Sequence, residues 1–223
     1  MSRKNKSASK ELFTSIRPIA KNEEQKDVLR SIDENLITII AGSPGVGKTF
    51  LATMQGISDV LKGKYQKLIL SRPCVEAFGE NLGFLPGDFH SKIQPYMIPI
   101  MDILEDNLSA GAILSLIETK TIRTIPLAFM RGIEFKNSFV ILDEAQNTIP
   151  SQIYMLLTRI GKNCKIVITG DPNQSDIPET NGLVDAIDRL AGMNDIGIVQ
   201  LSPKSIIRHP IIEEIEARYK QEN

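Results

Sequence analysis

The sequence predicts an α/β protein: one domain with a mostly parallel sheet and helices on both faces. Three observations carry that expectation. Short apolar runs alternate with segments of helical period along most of the chain, and the runs are too uniformly apolar for strands with one wet face. One run, Leu36-Ile37-Thr38-Ile39-Ile40, leads directly into a Gly-rich turn and then a helix. Another, Phe139-Val140-Ile141-Leu142, ends in two adjacent carboxylates, Asp143 and Glu144. At 223 residues the chain has length for one large domain with a buried core.

In chain order, Asn22 to Ile32 reads as a first helix, with Val28, Leu29 and Ile32 at helical spacing. The 36–40 strand, the turn and a helix over 50–62 follow. Lys67 to Leu70 is a second strand, ending at Ser71-Arg72-Pro73. Residues 76–99 interrupt the rhythm: Gly79, Gly83, Pro86, Gly87, Pro95 and Pro99 read as a loop-rich insertion, and loops of that length are usually functional. Residues 100–118 read as helical with a break near Gly111, and 121–125 as a strand before Pro126. After the 139–142 strand come a helix over 152–160 and a strand over 165–169. Helix 182–190, strand 196–201 and helix 211–219 complete the pattern.

Composition narrows the function classes. Twenty-six Lys and Arg against 27 Asp and Glu leave a net charge of −1, so no global field announces nucleic acid or an acidic membrane. Residues 1–15, with Arg3, Lys4, Lys6 and Lys10 among Ser and Asn, read as a flexible basic tail, or else as an arm touching phosphates. No apolar run has the length to span a bilayer or the placement of a secretory signal. The two cysteines, Cys74 and Cys164, are far apart and read as buried small hydrophobes. A cytoplasmic protein without membrane partners is the expectation.

The turn at 42–49 reads Gly42-Ser43-Pro44-Gly45-Val46-Gly47-Lys48-Thr49, a complete P-loop. Its backbone N–H groups are spaced to wrap a triphosphate, Lys48 to reach the β- and γ-phosphates, and Thr49 to offer a hydroxyl to Mg²⁺. The helix that follows presents its positive end to the anion. Paired with that loop, Asp143 is the expected Mg²⁺ carboxylate and Glu144 the base that deprotonates an attacking water. Switch GTPases usually lack an acid directly after the metal Asp, so Glu144 favours an ATPase with its own base. In Ile166-Val167-Ile168-Thr169-Gly170-Asp171-Pro172-Asn173-Gln174, a strand delivers a turn. Gln174 there either contacts the γ-phosphate or the attacking water, or is simply exposed. His90 and His209 have no partners at metal-ligand spacing.

These elements, in this order, resemble the first motor domain of superfamily 1 helicases. They resemble the PhoH-like family of phosphate-starvation-associated ATPases more closely still, from about residue 17 to residue 219. The resemblance includes Ser71-Arg72-Pro73, Glu80-Asn81-Leu82-Gly83-Phe84-Leu85-Pro86-Gly87, Pro95-Tyr96, Pro126-Leu127-Ala128-Phe129-Met130-Arg131-Gly132, Ile141 to Asn147, Leu157 to Gly161, Gly170-Asp171 with Gln174, and Arg208-His209-Pro210. The segments Leu82 to Gly87 and Leu127 to Gly132 are the family-specific ones.

The resemblance implies a single RecA-like P-loop NTPase domain over residues 16–223 that binds ATP and Mg²⁺ and hydrolyses the ATP. It places Asn22 and Gln25 where a glutamine motif reads adenine, or else on the polar side of a helix. It places Arg208 as an arginine finger, or else as a solvated residue near the last helix. Arg72 and Arg131 fall in family motifs, as ligand or nucleic-acid contacts or as structural ion pairs. A hexameric ring is implied, with Arg208 acting on a neighbour, and so is work on single-stranded nucleic acid, RNA before DNA. Tyr96, Phe78 or Phe84 would stack on bases in that case, or pack in the core. Two positions depart from the family: Ile133 stands where a second Arg is common, and Lys204-Ser205-Ile206-Ile207 precedes Arg208 without the usual Asp. The alternative to a motor is a nucleotide-gated assembly protein with incidental turnover. A small-molecule kinase is disfavoured, because adjacent carboxylates would activate water.

Overall fold

The computed structural model describes residues 16–73, 89–177, 180–203 and 218. Six strands form one sheet in the order β3-β2-β4-β5-β1-β6: β1 (Ile37–Gly42), β2 (Lys67–Ser71), β3 (Ile122–Thr124), β4 (Ser138–Leu142), β5 (Cys164–Gly170) and β6 (Ile196–Leu201). Every pairing is parallel. The intervening α-helices are α1 (Glu23–Glu34), α2 (Lys48–Leu61), α3 (Phe89–Glu105), α4 (Ala110–Glu118), α5 (Pro150–Leu157) and α6 (Gly182–Leu190). Period-2 alternation sends successive strand residues to opposite layers. Phe139 and Ile141 of β4 join a core with residues of α1, α2, α3 and α4, while Val140 and Leu142 join a second core with residues of α5 and α6. Helices therefore cover both faces, which is why strands β1, β4 and β5 are so largely apolar.

Two sequence expectations change. Residues 89–99, expected as loop, are the first part of α3, which contains Pro95 and Pro99. Both prolines are exposed. Each removes one backbone donor and crowds the carbonyl one turn back, a disruption best tolerated on the solvent face of a helix, where water can bond the freed carbonyl. The break expected near Gly111 falls earlier. Ser109 caps α4 by accepting from the Ala112 N–H at 3.4 Å, and Gly111 lies inside that helix. The remaining expected strands and helices within the described residues are present with shifts of a few positions at their ends. The helix expected over 211–219 apart from Arg218, the tail 1–15, Cys74 and the whole of 76–88 lie outside the described residues.

Close packing explains two residues the pattern alone does not. Gly56 of α2 lies against β2 and β4, where an added Cβ would sit 2.8 Å from Leu68 Cδ1 and 2.9 Å from Phe139 Cδ1. Lys165 of β5 is buried at 5% exposure, and its ammonium donates to the Ile32 and Asp33 carbonyls at the end of α1. Those carbonyls have no intrahelical donor, so the lysine serves as a cap for the end of α1.

Gly56→Val should cost about 1–3 kcal/mol by overpacking, despite the gain over glycine in helix propensity, and urea denaturation measures it. Burial also pulls the Lys165 pKa down to about 8 from 10.5, with the Lys64 charge adding to the depression and Asp33 and Asp59 opposing it. Between about pH 8 and 10.5 the unfolded chain therefore binds this proton more than the folded one does, so stability rises with pH across that window. Below it both states are charged and the burial cost is fully present. The melting-temperature difference between wild type and Lys165→Met should shift in favour of wild type from about pH 7.5 to about pH 10; a constant difference would show that this amine titrates normally.

Candidate nucleotide site

All six strands run the same way, so the residues following them collect at one end of the sheet. The P-loop follows β1. Gly45 and Gly47 hold φ of 82° and 91°, the left-handed region that glycine enters at least cost. Gly47 is the N-cap of α2 without any side-chain cap, and α2 has no acid in its first turn. The leading N–H groups of a 14-residue helix are thus left for a ligand, and the helix end favours an anion. Lys48 is 9% exposed, and its ammonium donates to the carbonyls of Gly42 at 2.7 Å and Ser43 at 2.9 Å. Ser43, Pro44 and Val46 complete the loop between them.

Gln25 comes beside this loop, and Asn22 opens the helix that carries it. Asn22 Oδ1 caps α1 by accepting from the Gln25 N–H at 2.8 Å. The Gln25 amide, 2% exposed, donates to the Val46 carbonyl at 2.9 Å and accepts from the Lys21 N–H at 2.8 Å. A Cβ on Gly47 would meet Gln25 Nε2 at 3.0 Å. Gln25 thus braces the loop from behind, and only its unused donor and lone pair remain for a base.

The sheet register builds the acidic half of the site. Ser71 pairs with Leu142, and Leu142 with Ile168, so the next residues along, Arg72, Asp143 and Thr169, are neighbours at the ends of β2, β4 and β5. Asp143, 1% exposed, accepts at Oδ1 from the Thr49 hydroxyl at 2.7 Å and the Thr169 hydroxyl at 2.5 Å. At Oδ2 it accepts from Arg72 Nε at 2.9 Å and Nη2 at 2.5 Å. Arg72 Nη1 donates to the Tyr96 carbonyl of α3 at 3.2 Å. The Thr49 hydroxyl and the Asp143 carboxylate are hard oxygen donors of the kind Mg²⁺ takes, and the loop sets them side by side.

Glu144 contrasts with its neighbour. Its side chain is 44% exposed against 2% for Asp143, and its backbone is left-handed at φ 57° and ψ 40°. A non-glycine residue there carries a cost that surrounding structure must hold, a feature concentrated at functional sites. The holding group is Gln146. Its amide donates to Glu144 Oε2 at 2.6 Å and accepts from the Asp171 N–H at 3.0 Å. A Cβ on Gly170 would lie 2.6 Å from Gln146 Oε1, so that position must be glycine. Asn147 adds a pair of bonds to Asp176, one to its carboxylate and one from its N–H, each 2.8 Å. The segment 144–147 is therefore stitched to the turn that carries Gln174, whose side chain is exposed. Arg131 is exposed as well, and Arg208 lies outside the described residues. Sequence reasoning misses Thr169 and Gln146. A hydroxyl closing an otherwise apolar strand is the available signal for Thr169; for Gln146 there is none beyond its place between Glu144 and Asn147.

This is an α/β fold of the P-loop NTPase class, with the P-loop at the end of β1. The family model for PhoH-like proteins matches residues 16–220, and the chain belongs to that family. It is 41% identical over 201 residues to a PhoH-like protein of Bacillus subtilis, covering 89% of this chain and 63% of that one. It is 34% identical over 199 residues to Protein PhoH of Escherichia coli K12, covering 87% of this chain and 56% of that one. The chain thus spans less than two thirds of the length of these curated relatives. Among solved structures, the large terminase of a thermophilic bacteriophage superposes with a TM-score of 0.53 at 11% identity, over 90% of this chain and 50% of that one, a likeness of fold. No helix among the described residues is long and apolar enough to cross a membrane.

If Gln25 braces the loop, Gln25→Leu should weaken nucleotide affinity about fivefold, the worth of one neutral hydrogen bond, while leaving the melting temperature within a few degrees. Titration with a fluorescent ADP analogue checks it, and unchanged affinity would count against the brace.

Proposed function

We propose that the chain binds ATP with Mg²⁺ and hydrolyses it, with Glu144 as general base. The observation that carries this reading is the division of labour between adjacent carboxylates. Asp143 is buried and bonded at both oxygens, whereas Glu144 is half-exposed, with the Gln146 amide on one oxygen and Arg72 3.7 Å from the other. A buried, saturated carboxylate suits a fixed ligand; an accessible one suits proton transfer to and from water.

The Gly45–Thr49 backbone would wrap the phosphates, and Lys48 would exchange its loop carbonyls for β- and γ-phosphate oxygens. Thr49 and Asp143 would hold Mg²⁺, which supplies charge neutralisation on the phosphates. Water adds to the γ-phosphorus, the bond to the β-phosphate oxygen breaks to release ADP, and Glu144 accepts the water proton. Gln174, on the turn fastened through Gln146 and Asp171, is placed by this reading against the γ-phosphate, so that triphosphate and diphosphate states differ at that turn. Arg208 would stabilise the departing charge. From the PhoH-like resemblance we further propose a homo-hexameric ring in which Arg208 acts on a neighbour, and turnover coupled to remodelling of single-stranded RNA.

Glu144→Gln should bind ATP within about threefold of wild type and lose about 10²- to 10⁴-fold in kcat, the usual contribution of a positioned base. Steady-state hydrolysis with and without single-stranded RNA, alongside oligomer mass, tests both levels. Stimulation by RNA that falls with added salt supports the coupled motor. ATP binding without turnover in wild type favours the nucleotide-gated scaffold instead.

A further inference from the structure

Arg72 has no role in the chemistry above, yet it makes the most extensive contact with the metal carboxylate. Its guanidinium is 14% exposed and engages three places at once: Asp143 Oδ2 through Nε and Nη2, Glu144 Oε1 at 3.7 Å, and the Tyr96 carbonyl through Nη1. A carboxylate as buried as Asp143 is tolerated when a partner compensates its charge, and Arg72 is that partner.

The charge count of the site follows from burial. Lys48 at 9% exposure and Asp171 at 5% are buried, and the side chains of Asp143 and Arg72 are 2% and 14% exposed. Two cations stand against two anions, and at Asp143 itself one guanidinium answers one carboxylate. Glu144, at 44%, is solvated and counts for less. A lone dication reaching Asp143 meets a guanidinium already bound to Oδ2 by two hydrogen bonds, and is repelled by its charge. A triphosphate reverses the balance, because it brings several negative charges to the loop beside Thr49.

We propose that Arg72 is the resident counter-ion of the metal carboxylate and closes the nucleotide-free site to free divalent cations, so that the metal enters only with the phosphates. The inference rests on the nucleotide site proposed above. It gives Arg72 a positioning and gating part, with no contact to reacting atoms. Arg72 also joins the carboxylate to α3 through Tyr96, so the gate is anchored outside the nucleotide site.

The test uses Mn²⁺ alone on nucleotide-free full-length chain, with binding followed by electron paramagnetic resonance and by cation-dependent thermal shift. Wild type should show no saturable Mn²⁺ binding in the low millimolar range. Arg72→Met and Arg72→Gln should bind Mn²⁺ at least about tenfold more tightly, since each removes a unit charge within contact distance of the carboxylate. Arg72→Lys, which keeps the charge, should behave like wild type. The glutamine variant retains a donor for Asp143 and guards against a folding failure of the methionine one. Equal Mn²⁺ affinity in wild type and both neutral variants would overturn the proposal. A parallel titration of wild type with Mn²⁺ and ADP together separates the two levels: loss of nucleotide binding there defeats the site assignment, whereas intact nucleotide binding with ungated Mn²⁺ defeats only the role of Arg72.

Discussion

The carboxylate of Asp143 is the joint on which the site depends. It ties the loop helix through Thr49, strand β5 through Thr169, and the end of β2 through Arg72, and the Asp143 N–H donates to the Ser71 carbonyl at 2.9 Å. Four segments far apart in sequence therefore share one charge in a region with little water. That arrangement needs the parallel register. A slip of one residue between β2 and β4 would turn Arg72 to the other face of the sheet. The two cores hold the register, since each strand residue has a fixed layer to fill, and the geometry of the site inherits the precision of that packing.

From this joint the site divides into a rigid and an adjustable half. Lys48 of the P-loop and Asp143 are buried and hydrogen-bonded. Glu144, Gln146 and the turn from Asp171 to Asp176 form a second network, buried at Gln146 and Asp171 and exposed from Asn173 to Asp176. The left-handed backbone of Glu144 lies at the boundary.

Much of this is legible in the sequence. The strand alternation, the coverage of both faces, the loop with Lys48 and Thr49, and the adjacency of Asp143 and Glu144 follow from local pattern and motif spacing. What escapes is non-local or tolerant of its context. Strand order places β5 between β1 and β4, and only that order brings Thr169 to Asp143. Nothing in the spacing of Arg72 and Asp143 foretells their ion pair. Pro95 and Pro99 read as loop residues because proline breaks helices in isolation, whereas here both face solvent inside α3. Gln25 stands out as a polar residue of the first helix, but its bond to the Val46 carbonyl depends on how α1 lies behind the loop.

On the reading proposed above, residues 42–49, with Lys48 reaching back across the loop, hold the phosphates of a nucleotide. The most direct measurement is calorimetric titration of the chain with Mg-ATP, beside Lys48→Ala. The account predicts one saturable site per chain in wild type and at least about tenfold weaker binding in the variant, with an unchanged circular dichroism spectrum. Equal binding by the two proteins, or no saturable binding by wild type, would contradict it.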